Sequence, residues 1–113
     1  MANTFKNQIT TSIGTSGNDI YTTPSATTTT VIGASLANKH SAAITISAVL
    51  FDSSLGENGT TAYLVKDAPI PVGGSLVLVG GDQKVVLETE DKITVTSSVA
   101  SSVDAVISVL EQS

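Results

Sequence analysis

The sequence predicts an all-β fold, namely an antiparallel β-sandwich of about eight short strands, with a jelly roll among the candidate topologies. The first observation is composition: Val, Ile and Thr are abundant, and charged residues make up only 13% of the chain, which favours strands. The second is pattern, because short segments of alternating polar and apolar residues recur between stretches of Gly, Ser and Asn. The third is length: 113 residues suffice for one hydrophobic core, so residues 1–113 are expected to form a single domain.

The first half of the chain contains segments that suit strands. Alternation or a run of β-branched residues predicts strands at Thr4–Ile13, Asp19–Thr23, Thr27–Asn38 and Ala42–Phe51. In the first of these, Ile9 and Ile13 are expected on the same face. Pro24 ends the second, and because proline cannot donate a ladder hydrogen bond, an edge strand is expected there.

The second half continues the pattern after a polar, glycine-containing loop at Asp52–Thr60, in which Asn58-Gly59 is a strong turn dipeptide. A helix is the alternative for the last segment, but Val and Ile outnumber good helix formers there, and no capping residue supports a helix. Strands are predicted at Thr61–Lys66, Ser75–Val79, Lys84–Leu87, Lys92–Thr96 and Val103–Leu110.

The stretch from Ala68 to Leu87 organises the expected sandwich. Pro69 and Pro71 predict an extended approach or an edge strand, because proline removes a backbone donor. Gly80-Gly81-Asp82 is typical of a turn between strands. The run Leu76–Val79 has no polar alternation, so both of its faces are expected to be covered, either by the opposite sheet or by another subunit.

Charge and composition exclude several classes of partner. The formal net charge of -5 would repel a phosphate backbone, so nucleic acid is not an expected partner. The chain has no cysteine for a disulfide or a thiolate metal site. It has neither the apolar core of a signal peptide nor a run approaching the ~18 apolar residues of a membrane span, so we expect a soluble protein made in the cytoplasm, without a membrane partner. Low charge and a mean hydropathy of +0.29 instead favour assembly with other chains.

Catalytic and cofactor motifs are lacking. His40 is the only histidine, so one subunit can complete neither a Ser-His-Asp triad nor a multi-histidine metal site. Gly73-Gly74 and Gly80-Gly81-Asp82 fit neither the P-loop nor the dinucleotide-binding pattern, and no helix is expected after them. We therefore expect no enzymatic activity, no catalytic residue and no cofactor.

Glu88, Glu90 and Asp91 form an acidic group that could offer oxygen ligands to a hard cation. Their spacing matches no calcium loop, and Lys84 and Lys92 lie close in sequence. The preferred interpretation is a solvated charged corner without metal, and a cation site is the alternative.

The aromatic residues Phe5, Tyr21, Phe51 and Tyr63 are few and scattered along the chain. They are too sparse for a base-stacking platform or for the aromatic floor of a sugar-binding site. Large side chains of this kind usually stabilise a hydrophobic core. Most of them are therefore expected to be core anchors.

An ordered set of motifs carries a resemblance to a known class of protein. The set consists of TTTVI at Thr28–Ile32, YLVKDAPIP at Tyr63–Pro71, GGDQKVVL at Gly80–Leu87 and DKITV at Asp91–Val95. With these motifs, the chain from Thr27 to Glu111 resembles small all-β virion structural proteins of tailed bacteriophages, particularly marine and cyanobacterial phages. The resemblance implies a non-enzymatic protein that joins the particle in many copies, and the β-rich, weakly charged composition agrees with it.

The expected function is that of a capsid decoration, cement or head-fibre subunit located in the virion. The expected partners are further copies of the chain, with a trimer as the first expectation, and other virion proteins such as the major capsid protein. The alternatives are a tail, neck or baseplate component and a carbohydrate-binding or host-binding tip module. Residues 1–8 are a candidate docking arm. The candidate interface residues are Leu76, Val77, Leu78, Val79, Val106 and Leu110.

Overall fold

The computed structural model describes residues 2–80 and 84–113; Met1 and the segment 81–83, which includes most of the predicted Gly80-Gly81-Asp82 turn, lie outside the described residues. The described residues form strands joined by turns, and the predicted all-β fold is confirmed. The strands are β1 (Asn3–Ile13), β2 (Asn18–Thr22), β3 (Thr28–Asn38), β4 (Ile44–Asp52), β5 (Thr60–Ile70), β6 (Ser75–Val79), β7 (Val85–Leu87), β8 (Lys92–Ser97) and β9 (Val103–Gln112).

The strands pair in a nested order: β1 with β9, β2 with β8, β3 with β6, and β4 with β5. This is the order of one long antiparallel hairpin that has been rolled up. In addition, β9 pairs with β3 and β8 pairs with β4, so that the strand pairs join into two sheets. We call β1-β9-β3-β6 the first sheet and β2-β8-β4-β5 the second sheet. The strand β7 also pairs with β3, in the first sheet. The nested order is that of a jelly roll, one of the topologies expected from the sequence.

The two sheets enclose the core through alternating side chains. On β9, Val103, Ala105, Ile107 and Val109 are buried, while the residues between them are half-buried or exposed. The alternation predicted for β8 is present as well, because its apolar residues are buried and its polar ones are mostly half-buried. The strand periodicity of two thus places one face of each sheet in the core.

The ends of the described chain lie side by side. The N–H of Ala2 donates to the carbonyl oxygen of Ser113 at 2.9 Å, and the N–H of Ser113 donates to the carbonyl oxygen of Ala2 at 3.0 Å. Residues 3–8 of the candidate docking arm, which comprises residues 1–8, belong to β1 and pair with β9 of the same chain. Docking of this segment on a neighbouring subunit stays a prediction.

An edge strand was expected before Pro24, and either an extended approach or an edge strand at Pro69 and Pro71; the structure has edge strands of the second sheet before Pro24 and at Pro69. The strand β2 is one edge and ends just before Pro24, and β5 is the other. The predicted strand Thr61–Lys66 is too short, because β5 continues to Ile70 and includes Pro69, which lies opposite Thr45. An edge position tolerates this proline, since only one side of the strand needs ladder hydrogen bonds.

The expectation for the run Leu76–Val79 holds for one face of the strand only. Val79 is buried, but Val77 is 67% exposed, and Leu76 and Leu78 are half-buried. The reason is that β6 is an edge strand of the first sheet, and no element among the described residues covers the outer side of Val77. Within one chain, the opposite sheet covers the inner face alone.

A buried tyrosine links the two sheets. The hydroxyl of Tyr21, on β2, donates to the Glu111 carboxylate on β9 and lies 2.9 Å from Thr29 Oγ1 on β3. Lys6 Nζ lies 3.6 Å from the same carboxylate. Burial, reinforced by the hydrogen bond to Glu111, raises the pKa of Tyr21 to about 12. The neutral phenol is therefore part of the folded structure.

This pKa predicts a loss of stability in alkali. Between the ordinary tyrosine pKa of about 10 and the folded-state value, the unfolded chain releases a proton that the folded chain retains. The free energy of unfolding should therefore be constant with respect to Tyr21 below pH 10 and should fall as the pH rises from 10 towards 12. Urea denaturation across this range measures the decline. In Tyr21→Phe the decline should be weaker, and an identical decline would show that Tyr21 does not cause it.

The loop between β4 and β5 depends on Gly59. Its φ of +84° lies in the left-handed region, which glycine adopts without steric cost. A Cβ at this position would also overlap the ring of Phe51 and lie 2.6 Å from its Cε1 atom. Phe51 is half-buried beneath the loop, so the aromatic ring and the glycine fix each other's positions.

Gly59→Ala should lower the free energy of unfolding by about 3 kcal/mol, through both the backbone conformation and the overlap with Phe51. Gly73→Ala is the matched control: its φ of +71° is similar, but a Cβ there would have no atom of the described residues within 4 Å. That control should cost only about 1 kcal/mol. Equal losses in urea denaturation would mean that the contact with Phe51 is unimportant.

Candidate assembly surface and acidic corner

The outer side of the first sheet carries exposed apolar side chains that the opposite sheet cannot reach. Strands β1, β9, β3, β6 and β7 all contribute to it. Scattered apolar residues are common on protein surfaces, but a contiguous apolar patch indicates a binding surface. We call this surface the outer face; its apolar residues are Phe5, Ile9, Ile32, Val77, Val86, Val106 and Leu110.

Strand pairing brings these residues together. Phe5 lies opposite Leu110, and Ile9 lies opposite Val106, in the ladder between β1 and β9. Directly opposed residues of an antiparallel pair point to the same side of the sheet. Phe5 is 73% exposed, because the strand that bears it lies at the edge of the sheet.

A register shift adds Ile32 to the outer face. The pairing of β3 with β9 shifts between Val31 and Gly33, so Ile32 is exposed although its neighbour Val31 is buried. An open depression with a volume of about 300 Å³ lies beside Ile32, and Phe5, Asn7 and Ser108 also line it. The depression gives the outer face a recess for a side chain of a partner.

An ion pair lies at one end of this surface. Lys39 Nζ lies 2.9 Å from Asp104 Oδ1, where β3 and β9 meet at one end of the sheet. The hydrogen bond from Lys39 is the main reason that the pKa of Asp104 is lowered. Lys6 and Glu111 pair on the inner side of the sheet, since Lys6 lies opposite the buried Val109 and Glu111 accepts a hydrogen bond from Tyr21 of the second sheet. The charge of Asp104 at the border of the outer face is therefore compensated locally.

The candidate interface residues divide between this surface and the core. Val77 and Val106 are exposed on the outer face, and Leu110 is half-buried there. Val79 is buried in the core. Leu76 and Leu78 are half-buried against that core. Their participation in an interface stays a prediction.

Sequence reasoning missed Phe5, Ile9, Ile32 and Val86. The expectation that Ile9 and Ile13 share a face is wrong, because the pairing of β1 with β9 shifts between Thr10 and Ile13. Ile13 is consequently buried and Ile9 is 62% exposed. Their alternation with polar residues was visible in the sequence, but which face would meet the core was not.

The aromatic residues are less buried than predicted. Tyr21 is a core residue, and Phe51 is half-buried, but Phe5 and Tyr63 are exposed. Tyr63 lies on the edge strand β5, where Lys66 Nζ is 5.8 Å from the centre of its ring. The aromatic residues therefore do not form one floor.

The acidic corner contains a residue that the sequence did not associate with it. Carboxylate oxygens of Asp52, Glu88 and Asp91 lie within 4.8 Å of one another, and Asp52 comes from the end of β4. Glu90 is exposed and is not part of this group. A hydrogen bond from the Ser54 hydroxyl is the main cause of the lowered pKa of Asp52.

Asp91 is buried, and both of its carboxylate oxygens already accept hydrogen bonds. Oδ1 accepts from the N–H of Ser53 at 3.0 Å, and Oδ2 accepts from the N–H of Glu88 at 2.9 Å. These bonds connect the end of β4 to the turn before β8. The arrangement explains the burial of a carboxylate by structural bracing, and metal binding at this corner stays untested.

His40 lies in the turn between β3 and β4, and its backbone N–H donates to Asn38 Oδ1 at 2.8 Å. Asn38 in turn donates from Nδ2 to the carbonyl oxygens of Ala42 and Ile70. This turn is organised by the asparagine amide.

Among the described residues, no helix has the length and hydrophobicity to cross a lipid bilayer.

Comparison with known proteins places the fold but not a family. No family model and no curated protein matches the chain. Among solved structures, a protein of the Bacillus endospore appendages, described as a novel family of disulfide-linked pili, matches with a TM-score of 0.53 and 10% identity, over 99% of this chain and 87% of the other. The VP2 subviral particle of infectious bursal disease virus matches with a TM-score of 0.53 and 15% identity, over 96% of this chain and 32% of the other.

A structure of the Gx strain of the same virus matches with a TM-score of 0.50 and 13% identity, over 96% of this chain and 36% of the other. The chain thus spans about a third of the viral chains that it matches. At these identities the likeness concerns the fold alone. The disulfide linkage of the pili has no counterpart here, because this chain has no cysteine.

The bracing by Asp91 predicts that Asp91→Ala lowers the free energy of unfolding by about 3 kcal/mol, because the partly buried N–H groups of Ser53 and Glu88 lose their acceptor. Glu57→Ala, in the exposed loop nearby, is the control and should change stability by less than about 0.5 kcal/mol. Urea denaturation measures both. A rise in the unfolding temperature of the unaltered protein with Ca²⁺, reversed by EDTA, would instead indicate a cation site.

Proposed function

We propose that the protein is a non-enzymatic structural subunit that assembles in many copies. The observation that carries the proposal is the outer face, where a sheet of an otherwise well-packed sandwich exposes several large apolar side chains. A soluble monomer rarely leaves such a contiguous surface in contact with water. Covering it with neighbouring subunits removes the apolar area from solvent and stabilises the assembly.

The structural neighbours support this class of function. The pili of the endospore appendages and the VP2 subviral particle are both assemblies, and each contains a chain with this fold. Jelly rolls also recur in viral capsid proteins, although lectins use them too. A fold hosts more than one function, so the exposed surface and not the topology is the main support for a role in assembly.

The resemblance to tailed-phage virion proteins leads to the finer proposal. In it, the chain is a capsid decoration, cement or head-fibre subunit, resides in the virion, and binds the major capsid protein as well as its own copies. Two of the motifs that carry the resemblance, TTTVI at Thr28–Ile32 and DKITV at Asp91–Val95, form parts of β3 and β8. These strands lie inside the two sheets, so the motifs would maintain the scaffold more than the binding surface.

Residues 1–8 acquire a specific role in this proposal. Because residues 3–8 are paired with β9, they would contact a neighbour without leaving their own sheet. Phe5 is a large apolar side chain that projects from this segment on the outer face. The docking arm is therefore proposed as a fixed edge of the sheet rather than as a free extension.

Particle fractionation tests the proposed function. Particles released from lysed cultures of the source organism should be purified on a density gradient, and an antibody against this chain should be used for immunogold labelling. Labelling of heads in many copies is the expected result, since a decoration subunit follows the capsid lattice. Labelling of tails or necks would favour the alternative location, and recovery of the chain only in the particle-free fraction would contradict a virion role.

A further inference from the structure

We propose that the outer face binds the same face of a second copy of this chain, in a two-fold, sheet-on-sheet contact. This inference rests on the self-assembly proposed above and adds the surface and its partner, with a two-fold pair in place of the trimer first expected from the sequence. The contact would join the first sheets of the two copies at the usual separation of packed sheets, ~10 Å. A four-layered particle of two sandwiches would result.

The size of the outer face fits a dimer interface. Strands β1 and β3 contain 11 residues each and β9 contains 10, which corresponds to a length of about 35 Å. Four strand positions, β1, β9, β3 and the edge shared by β6 and β7, give a width of about 19 Å. The product is about 660 Å² per copy and about 1,300 Å² for a pair, which lies within the range of specific, stable interfaces.

The polar positions of the outer face also suit a second copy. Between its apolar residues lie Asn7, Thr30, Ser35 and Ser108, which carry no charge. Two chains that each have a formal net charge of -5 repel one another wherever acidic residues meet. On this surface they can approach with uncharged positions in contact, while hydroxyl and amide groups can both donate and accept hydrogen bonds.

The strand β6 is apolar both towards the core and on the outer face. Val79 points into the core, whereas Val77, two residues away, is exposed on the outer face because a register shift lies between them. An edge strand that is apolar on both sides is a liability for a monomer. Packing against a second sheet would cover Val77 and leave the strand's own pairing with β3 intact.

A charged residue placed in this contact should separate the two copies. Ile9→Glu and Ile9→Lys alter an exposed residue opposite Val106, and they change the net charge in opposite directions. Each should raise the dissociation constant by roughly 100-fold, because each would place two unpaired charges in an apolar contact. Tyr63→Glu is the matched control: Tyr63 is 58% exposed, similar to Ile9, but lies on the second sheet. Sedimentation over a dilution series, with circular dichroism to verify folding, is the measurement.

Cross-linking provides a second measurement that does not depend on added charge. The chain has no cysteine, so Ser108→Cys introduces a single thiol in the middle of β9. A short bismaleimide should join two Ser108→Cys chains efficiently, since the facing sheets would lie ~10 Å apart. Thr61→Cys, exposed on the second sheet, should give little product under the same conditions.

The results separate this inference from the proposed function. A dimer of the unaltered protein that both Ile9 variants dissociate supports the two-fold contact, even if the chain is absent from particles. A monomer at all concentrations, a trimer, or dissociation by Tyr63→Glu but not by the Ile9 variants would overturn it. If the protein is monomeric and Ile9→Glu alone abolishes its incorporation into particles, the outer face binds another particle protein, and the contact between copies is wrong while the structural role stands.

Discussion

The pairing of β9 between β1 and β3 is the constraint on which the other features depend. β9 lies far from β1 and from β3 in sequence, so both of its ladders join distant residues. Its inward residues fill the core, and Glu111 reaches Tyr21 on the opposite sheet. Nearly all of these contacts join residues far apart in sequence, and such topologies fold slowly compared with locally connected ones.

The local character of each segment could be predicted from the sequence, but its environment could not. Alternation located the strands within a few residues, and proline indicated the edge strand before Pro24, whereas Pro69 was compatible with an extended approach as well as an edge. The burial of Ile13 and the exposure of Ile9 depend on a register shift, which is a property of the pair of strands and not of either segment. A register shift also explains the exposure of Val77, although the run Leu76–Val79 was expected to be covered on both faces.

The acidic corner also combines residues that are close in sequence with one that is distant. The sequence indicated Glu88, Glu90 and Asp91 because they are neighbours in the chain. In the structure, the acidic group contains Asp52 together with Glu88 and Asp91, and Glu90 is not part of it. No spacing rule connects the end of β4 to the turn before β8, since their proximity follows from the pairing of β4 with β8. The expectation that the chain has no catalytic site rests on the sequence alone, where a single histidine limits the possible sites directly.

The adjacency of Ala2 and Ser113 affects how the domain can be joined to other polypeptides. Their mutual hydrogen bonds fix the two ends as neighbouring strands, so a peptide fused before residue 2 and another fused after residue 113 would emerge next to each other. A few flexible residues would suffice to connect the ends covalently, and a new opening could then be made in the exposed loop that contains Leu55. Such a circularly permuted chain would move its points of attachment from the first sheet to the second, at the same end of the sandwich, while it retained every strand pairing.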